Sequence, residues 1–347
     1  MREKFKRWTN NPKTMKRVLL TVAVLSGISI LLGLYIGSVS LSFGQITESV
    51  GLGIKSSLGI AEKPSNVYFT IIWEIRLPRV LLAYLVGLSL ASAGVASQAL
   101  FKNPLADPYI LGISGGAAVG VALAALYFPK YVESSALLFS LFAVFLVYNV
   151  SKVDGHIPVD TLLLAGIAFG FLATAATSYL IYINPNNTHA TWLWLMGSFN
   201  GATWGKVGRV FISSLLGFVF LMWRWKELNL LLFGEESIAL GLDLDLYRKL
   251  IVFVIAMMTA LAVSTSGIIG FIGLVSPHIM RMLVGPNHKR LLPAAALFGG
   301  FLTVFADLIA RTINRPQDIP VGIITALIGA PFFLYLLMKH KRGELSS

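Results

Sequence analysis

Apolar runs of about 20 residues recur from one end of this chain to the other, and that length carries an α-helix across a bilayer. A backbone in lipid must satisfy its own hydrogen bonds, so only helices or a closed barrel can span it. Runs this long select helices. We read ten, over 18–37, 80–101, 109–127, 136–150, 161–183, 206–225, 250–266, 268–285, 291–310 and 321–338. Only 13% of the residues are charged and the mean hydropathy is +0.76, whereas soluble domains carry about 25% charged residues. The expected fold class is all-α, a polytopic membrane protein of about ten transmembrane helices in one domain over 1–347. The first run, Val18–Gly37, follows Arg2, Lys4, Lys6, Arg7, Lys13, Lys16 and Arg17. It has no small-x-small cleavage site after it, so it reads as an uncleaved span.

The net charge of +12 would suggest a nucleic-acid partner for a soluble protein. Here the basic residues follow the membrane instead. With the N-terminus inside, the inner segments are 2–17, Lys102, Lys152, the group Arg224, Lys226, Arg248 and Lys249, then Arg281, Lys289 and Arg290, and finally Lys339, Lys341 and Arg342. That majority on one side is the cytoplasmic bias of Lys and Arg. It predicts a multi-pass membrane protein with both termini and 226–249 in the cytoplasm, membrane lipids around it and no nucleic acid. Cysteine is absent, which excludes disulfides, thiolate metal sites and cysteine nucleophiles.

The segment Lys226–Lys249, KELNLLLFGEESIALGLDLDLYRK, holds five of the 16 carboxylates between two apolar runs. Gly234-Glu235-Glu236-Ser237-Ile238-Ala239-Leu240-Gly241 reads as a short helix bounded by glycines. Its acids stand in the first turn, where the helix dipole favours them, and Gly241 is placed to end it. Leu228–Phe233 before it is apolar and reads as a second short helix along the membrane surface. Two short helices joined by glycine form a knob for docking rather than a pore.

Candidate chemistry is sparse. There is no G-x-x-x-x-G-K-[ST] phosphate loop and no H-E-x-x-H, so neither nucleotide hydrolysis nor a metal site is expected of this chain. Gly112-Ile113-Ser114-Gly115 matches the G-x-S-G of rhomboid-type intramembrane proteases, but a serine nucleophile needs a positioned base. His278 in SPHIMR is the one histidine near a span, and its context does not supply one. A glycine-rich helix start is the better reading, and no catalytic residue is expected. Asp307 and Asp107 are intramembrane acids, functional candidates by default, and a proton-coupled carrier would need one deep and unpaired. Arg311 stands four residues after Asp307, an ion-pair spacing, and Asp107 in the turn KNPLADP reads as a local cap. Arg76 and Arg79 precede the second span on the outer side, as lipid anchors or as docking groups for an acidic partner. Ser89–Ser97 and Gly112–Gly120 are small-residue stretches that let helices approach closely. The outer segment Ser38–Glu74 reads as loop with a short interfacial helix.

The chain resembles the FecCD-type permease subunits of ABC importers for iron–siderophore, haem or cobalamin. The carriers are RLPRVLLAYLVGLSLASAG, QALFKNPLADPYILGISGGAA, DTLLLAGIAFG, GEESIALGL, GFIGLVSPHIMRMLVG and DIPVGIITALIGAPFFLYLL, in order. The resemblance implies a type II importer permease fold in the cytoplasmic membrane of a bacterium and a dimer with a second permease subunit, the same chain or a paralogue. It also implies two cytoplasmic ATPase subunits, which hold the ATP, and an extracytoplasmic substrate-binding protein. No cofactor would bind this chain directly. Gly234, Glu235, Glu236, Ser237, Ala239, Leu240 and Gly241 match the ATPase-coupling loop, and Arg76, Arg79 and Arg311 match the binding-protein contacts. Asn103, Pro104, Asp107, Val159 and Asp160 fall near the cytoplasmic gate, although Asp160 replaces the small polar residue expected there. An iron–siderophore cargo is expected because it is common in the family, not because of any residue.

Overall fold

The computed structural model describes residues 12–37 and 39–341. The basic positions before residue 12, Ser38 and Arg342 lie outside the described residues. Within them, helix occupies every one of the ten predicted runs. Seven helices are long and apolar enough to cross a membrane, and Ile113–Tyr127, Ile272–Val284 and Val321–Tyr335 are shorter apolar ones.

In chain order the helices are α1 (Pro12–Tyr35), α2 (Phe43–Ser57), α3 (Val67–Leu100), α4 (Ile113–Tyr127), α5 (Val132–Val150), α6 (Val159–Tyr182) and α7 (Thr188–Leu195). They continue with α8 (Trp204–Trp223), α9 (Trp225–Leu231), α10 (Glu236–Ala239), α11 (Leu244–Ser266), α12 (Ile272–Val284), α13 (His288–Ala310) and α14 (Val321–Lys341). Helix α3 is the hub, packed against α13, α8, α11 and α12. Its small residues explain this. A Cβ on Gly94 would run into the Gly273 carbonyl, and one on Gly87 would meet Thr303 and the Gly299 carbonyl. Helices α4, α5 and α6 form a second group, and α6 is the most exposed of the long helices, with little of its length buried inside the chain.

Three boundaries differ from the sequence reading. Helix α3 starts at Val67 rather than residue 80, through a wider π-helical stretch at Thr70–Arg76. The polar residues Glu74, Arg76 and Arg79 ended the apolar count, but the fold takes the arginines in with partners. Residues 109–127 divide into a 3-10 turn at Pro108–Leu111 and a helix restarting at Ile113, with Gly112 at φ 82° between them. The apolar run 250–285 breaks at Gly267–Phe271, where Gly267 has φ 72° and Phe271 φ 68°. Helix α12 therefore has 13 residues and is about 20 Å long, shorter than a hydrocarbon core. The outer segment contains a 15-residue helix, α2, started by a capping box between Ser42 and Gln45.

Candidate functional site

The segment 226–249 folds as the two short helices expected, but it is more firmly seated than a loop. Leu228 and Leu231 of α9 are buried, so half of LNLLLF packs into protein instead of lying on lipid. A turn follows with Gly234 at φ 62°, a backbone conformation that glycine adopts without strain. Lys102 of the KNPLADP turn closes over Gly234, its Nζ 2.5 Å from where a Cβ would stand. Ser237 is fully buried and donates to the Gly234 carbonyl at 2.5 Å. Gly241, at φ 84°, ends α10, and the Leu242 amide returns to the Ser237 carbonyl at 3.1 Å. Facing out are Phe233 (57% exposed), Ile238 (55%) and Leu240 (61%), beside exposed Glu235, Glu236 and Ala239. An exposed apolar cluster rimmed by acids marks a contact surface.

Polar contacts fix the knob to the bundle. Arg224 Nη1 pairs with Glu227 Oε1 at 3.1 Å and donates to the Tyr247 hydroxyl at 2.8 Å, and Tyr247 donates to the same carboxylate at 3.1 Å. Burial alone would raise the Glu227 pKa. Hydrogen bonds from its own backbone amide, Arg224 and Tyr247 outweigh that and hold it below the ordinary value. Asn229 Oδ1 accepts from the backbone amide of His288 at 3.0 Å, and His288 Nδ1 lies 2.7 Å from the same oxygen. Glu235 turns back to Arg248 at 2.9 Å. The roles of Asn229, Lys102 and Arg248 leave no local pattern in the sequence, because His288, Gly234 and Ile157, which they meet, lie far away along the chain.

The expected gate residues fall in two places. Asn103 accepts from Leu105 N and Asp107 from Tyr109 N, both at 2.9 Å, so each caps its own turn around exposed Pro104. Val159 begins α6 and packs against the main core, while Asp160 beside it is exposed. The two regions touch where α6 crosses the 3-10 turn, with Gly166 against the Ile110 carbonyl.

A cleft of about 460 Å³ lies along this crossing, lined by Asp107, Tyr109, Ser114, Gly166, Gly270 and Phe271 among others. Its walls include both unwound segments. The Tyr109 hydroxyl ties them together, donating to Ile269 O at 3.1 Å and accepting from Ile269 N at 3.3 Å. Non-helical backbone at membrane depth is tolerated where it is buried in protein or lines a cavity. The division at residue 267 between 250–266 and 268–285 is present, but the break runs on to Phe271, because GIIGF is as apolar as the helices around it and its length leaves no mark in the sequence.

Arg76, Arg79 and Arg311, expected as binding-protein contacts, are held by partners within the chain. Arg76 is 5% exposed and donates to the carbonyls of Leu34 (2.7 Å), Tyr35 (3.1 Å) and Val39. Arg311 is 7% exposed and donates to the Gly33 carbonyl at 2.6 Å. Arg79 holds Asp307 and Asp318. In this conformation all three brace one end of the bundle, where the ends of α1 and α13 meet the first turns of α3. Arg315, in the exposed connection before α14, is a solvent-facing cation at that end.

Neither acid is free in the way a proton carrier needs, since Asp307 is ion-paired and Asp107 is a cap. His278 packs edge-on against Phe332, and both of its ring nitrogens lack hydrogen-bond partners, Ser114 included. Among the described residues no group of three or more His, Cys, Asp or Glu is placed to hold a metal ion.

Residues 24–339 match the model of the FecCD transport family. The chain is 46% identical over 277 residues to the cobalamin import system permease protein BtuC of Halobacterium salinarum, covering 78% of this chain and 74% of that one. It is 40% identical over 311 residues to an iron chelatin transport system permease protein of Helicobacter pylori, covering 89% and 94%. A solved metal-chelate type ABC transporter in an inward-facing conformation superimposes with a TM-score of 0.82 at 35% identity, over 93% of this chain and 99% of that one.

Proposed function

The chain belongs to the FecCD transport family, and from that premise we propose that it is the permease subunit of an ABC importer for a metal chelate. The observation that carries this reading is the knob: exposed Phe233, Ile238 and Leu240 on a segment whose other face is locked to three spans. Such a knob suits the groove of a separate ATPase. The chain itself has no phosphate loop, so ATP would be hydrolysed by two partner subunits in the cytoplasm. A second permease subunit would face the exposed side of α6 and complete a pathway that the 460 Å³ cleft lines. An extracytoplasmic binding protein would deliver cargo to the end braced by Arg76, Arg79 and Arg311.

Closure of the ATPases would push the knob. The knob bears on Lys102 at the KNPLADP turn and, through its salt bridges, on the connection into α6. Movement there would open or close the cleft at Asn103, Pro104, Asp107, Val159 and Asp160.

For the cargo we infer an iron–siderophore complex, as the likeness to an iron chelatin permease over 89% of the chain supports. Cobalamin is the second reading, favoured by the relative at 46% identity. The test is to purify the chain from its own membrane with its companions, identify the retained chelate, and follow uptake of labelled ferric siderophore and cyanocobalamin into proteoliposomes. ATP-dependent uptake of the ferric complex alone supports the iron reading. Uptake of cyanocobalamin alone replaces it with the second, and uptake that needs no ATPase overturns the importer reading.

A further inference from the structure

We infer that Arg248 is the positioning residue that joins the knob to the root of α6, so that one guanidinium transmits movement from the ATPase side to the gate side. This rests on reading the knob as the ATPase contact. Arg248 stands in the first turns of α11, and its side chain is only 8% exposed. Nη2 donates to Glu235 Oε1 at 2.9 Å, and Nη1 donates to the backbone carbonyl of Ile157 at 3.1 Å. Ile157 is buried and stands two residues before α6 begins. Three segments distant in sequence therefore meet on one planar group.

The geometry fits arginine and no other side chain. A guanidinium holds its N–H donors at fixed angles on separate nitrogens, whereas lysine offers one nitrogen on a flexible stem. The bond is also poorly explained by stability. Glu235 is 72% exposed at its side chain, and ion pairs with a solvated partner contribute little. A buried arginine that reaches out for a solvated carboxylate, and inward for the carbonyl at a helix root, is arranged to fix positions.

The hairpin it grips is suited to move as a unit. Residues Val153 and His156 exchange backbone hydrogen bonds at 2.9 and 3.0 Å, and Thr161 Oγ1 of α6 donates back to Ser151 O at 2.8 Å. His156 Nδ1 also meets Asp245 Oδ2, on the first turn of α11, at 2.6 Å. The same arrangement divides the two glutamates that the sequence treats alike. Glu236 faces outward without a bond to the bundle, and Glu235 belongs to the strut.

The test uses the assembled complex and the isolated full-length chain in parallel. In the complex, Arg248→Gln and Arg248→Lys should each keep the ATPase bound and hydrolysing, while transport per ATP falls about tenfold, within the usual range of a coupling energy. A pure folding defect would lower the yield of complex instead. In the isolated chain, which has no cysteine of its own, spin labels at Asp160→Cys and Glu236→Cys should give one narrow distance that broadens with Arg248→Gln. Arg248→Gln with wild-type transport per ATP overturns the strut while leaving the importer reading intact. An unchanged distance distribution overturns it as well, and does so even if no ATPase proves to bind the chain, a result that would sink the importer reading separately.

Discussion

Arg79 closes on Asp307 with the Nε–Nη2 edge of its guanidinium. Nε lies 3.1 Å from each carboxylate oxygen and Nη2 lies 2.8 Å from Oδ1, while Nη1 reaches Asp318 at 2.6 Å. Arg311, the neighbour at ion-pair spacing in sequence, is 3.8 Å away at Nε, and that nitrogen has no hydrogen bond. The pair spans α3 and α13 and sits in a region where Arg76 and Arg311 are also buried.

Removing the Asp307 carboxylate should therefore destabilise more than removing that of Asp318. Asp307→Ala leaves buried Arg311 without its anion and Arg79 with Asp318 alone, and breaking such a buried pair costs roughly 3–5 kcal/mol. Asp318 is 27% exposed at its side chain, so Asp318→Asn should cost about 1 kcal/mol or less. Denaturant unfolding of the purified protein in detergent distinguishes the two. Equal effects would show that Arg79 does not depend on Asp307.

Charge reversal at the outer end should separate scaffold from surface. Arg76→Glu should reduce the folded yield, since three backbone carbonyls would then face a carboxylate. Arg315→Glu should leave folding intact and weaken association with the binding protein, with the wild-type contact weakening as salt rises. Unchanged association would move the docking contact away from Arg315.

The packing of the hub makes a graded prediction. Gly94→Ala and Gly87→Ala push a methyl group into backbone carbonyls that cannot swing aside, and overpacking of this kind costs about 1–3 kcal/mol or more. Gly170→Ala on α6 meets nothing within the chain and should unfold like wild type. If Gly170→Ala nonetheless abolishes transport, the second permease subunit packs there. Thermal unfolding and uptake, measured side by side, give both answers.

The His156–Asp245 contact should weaken with alkalinity. The hydrogen bond and charge of Asp245 raise the His156 pKa above its ordinary value near 6.5. Its contribution is therefore full below that value and is lost as pH rises through the raised one. Hydrogen exchange of residues 151–158, corrected for the intrinsic rate, should show protection falling across that window. His156→Gln should abolish the pH dependence; a flat wild-type profile would deny the contact any role in solution.

Much of this was legible in the sequence, and the reasons for the rest are physical. The ten helical runs followed from apolar length, although only seven of the described helices are long enough to cross a membrane, and the knob followed from glycines at 234 and 241 flanking acids. The α2 helix carried a readable signal, Ser42 and Gln45 at capping-box spacing, inside a segment polar enough to pass for loop. Arg79 and Asp307 are 228 residues apart, and no local pattern pairs them. The outer arginines looked exposed because a basic residue on the outer side suggests water. The burial of Arg76 and Arg311 depends on carbonyls freed at the end of α1, and that of Arg79 on Asp307 and Asp318, which only the fold brings near. Arg248 read as one more cytoplasmic cation for the same reason.

The most direct test of the account is whether the knob recruits an ATPase. The full chain is purified from its native membrane, alone or with Glu236→Lys and Ile238→Asp, and the bound ATPase and its hydrolysis are quantified. The account predicts that the wild-type chain brings down an ATPase whose activity drives chelate uptake, and that the double variant loses it while keeping its helical content. Full association and uptake by the double variant, or uptake by the chain with no ATPase present, would contradict it.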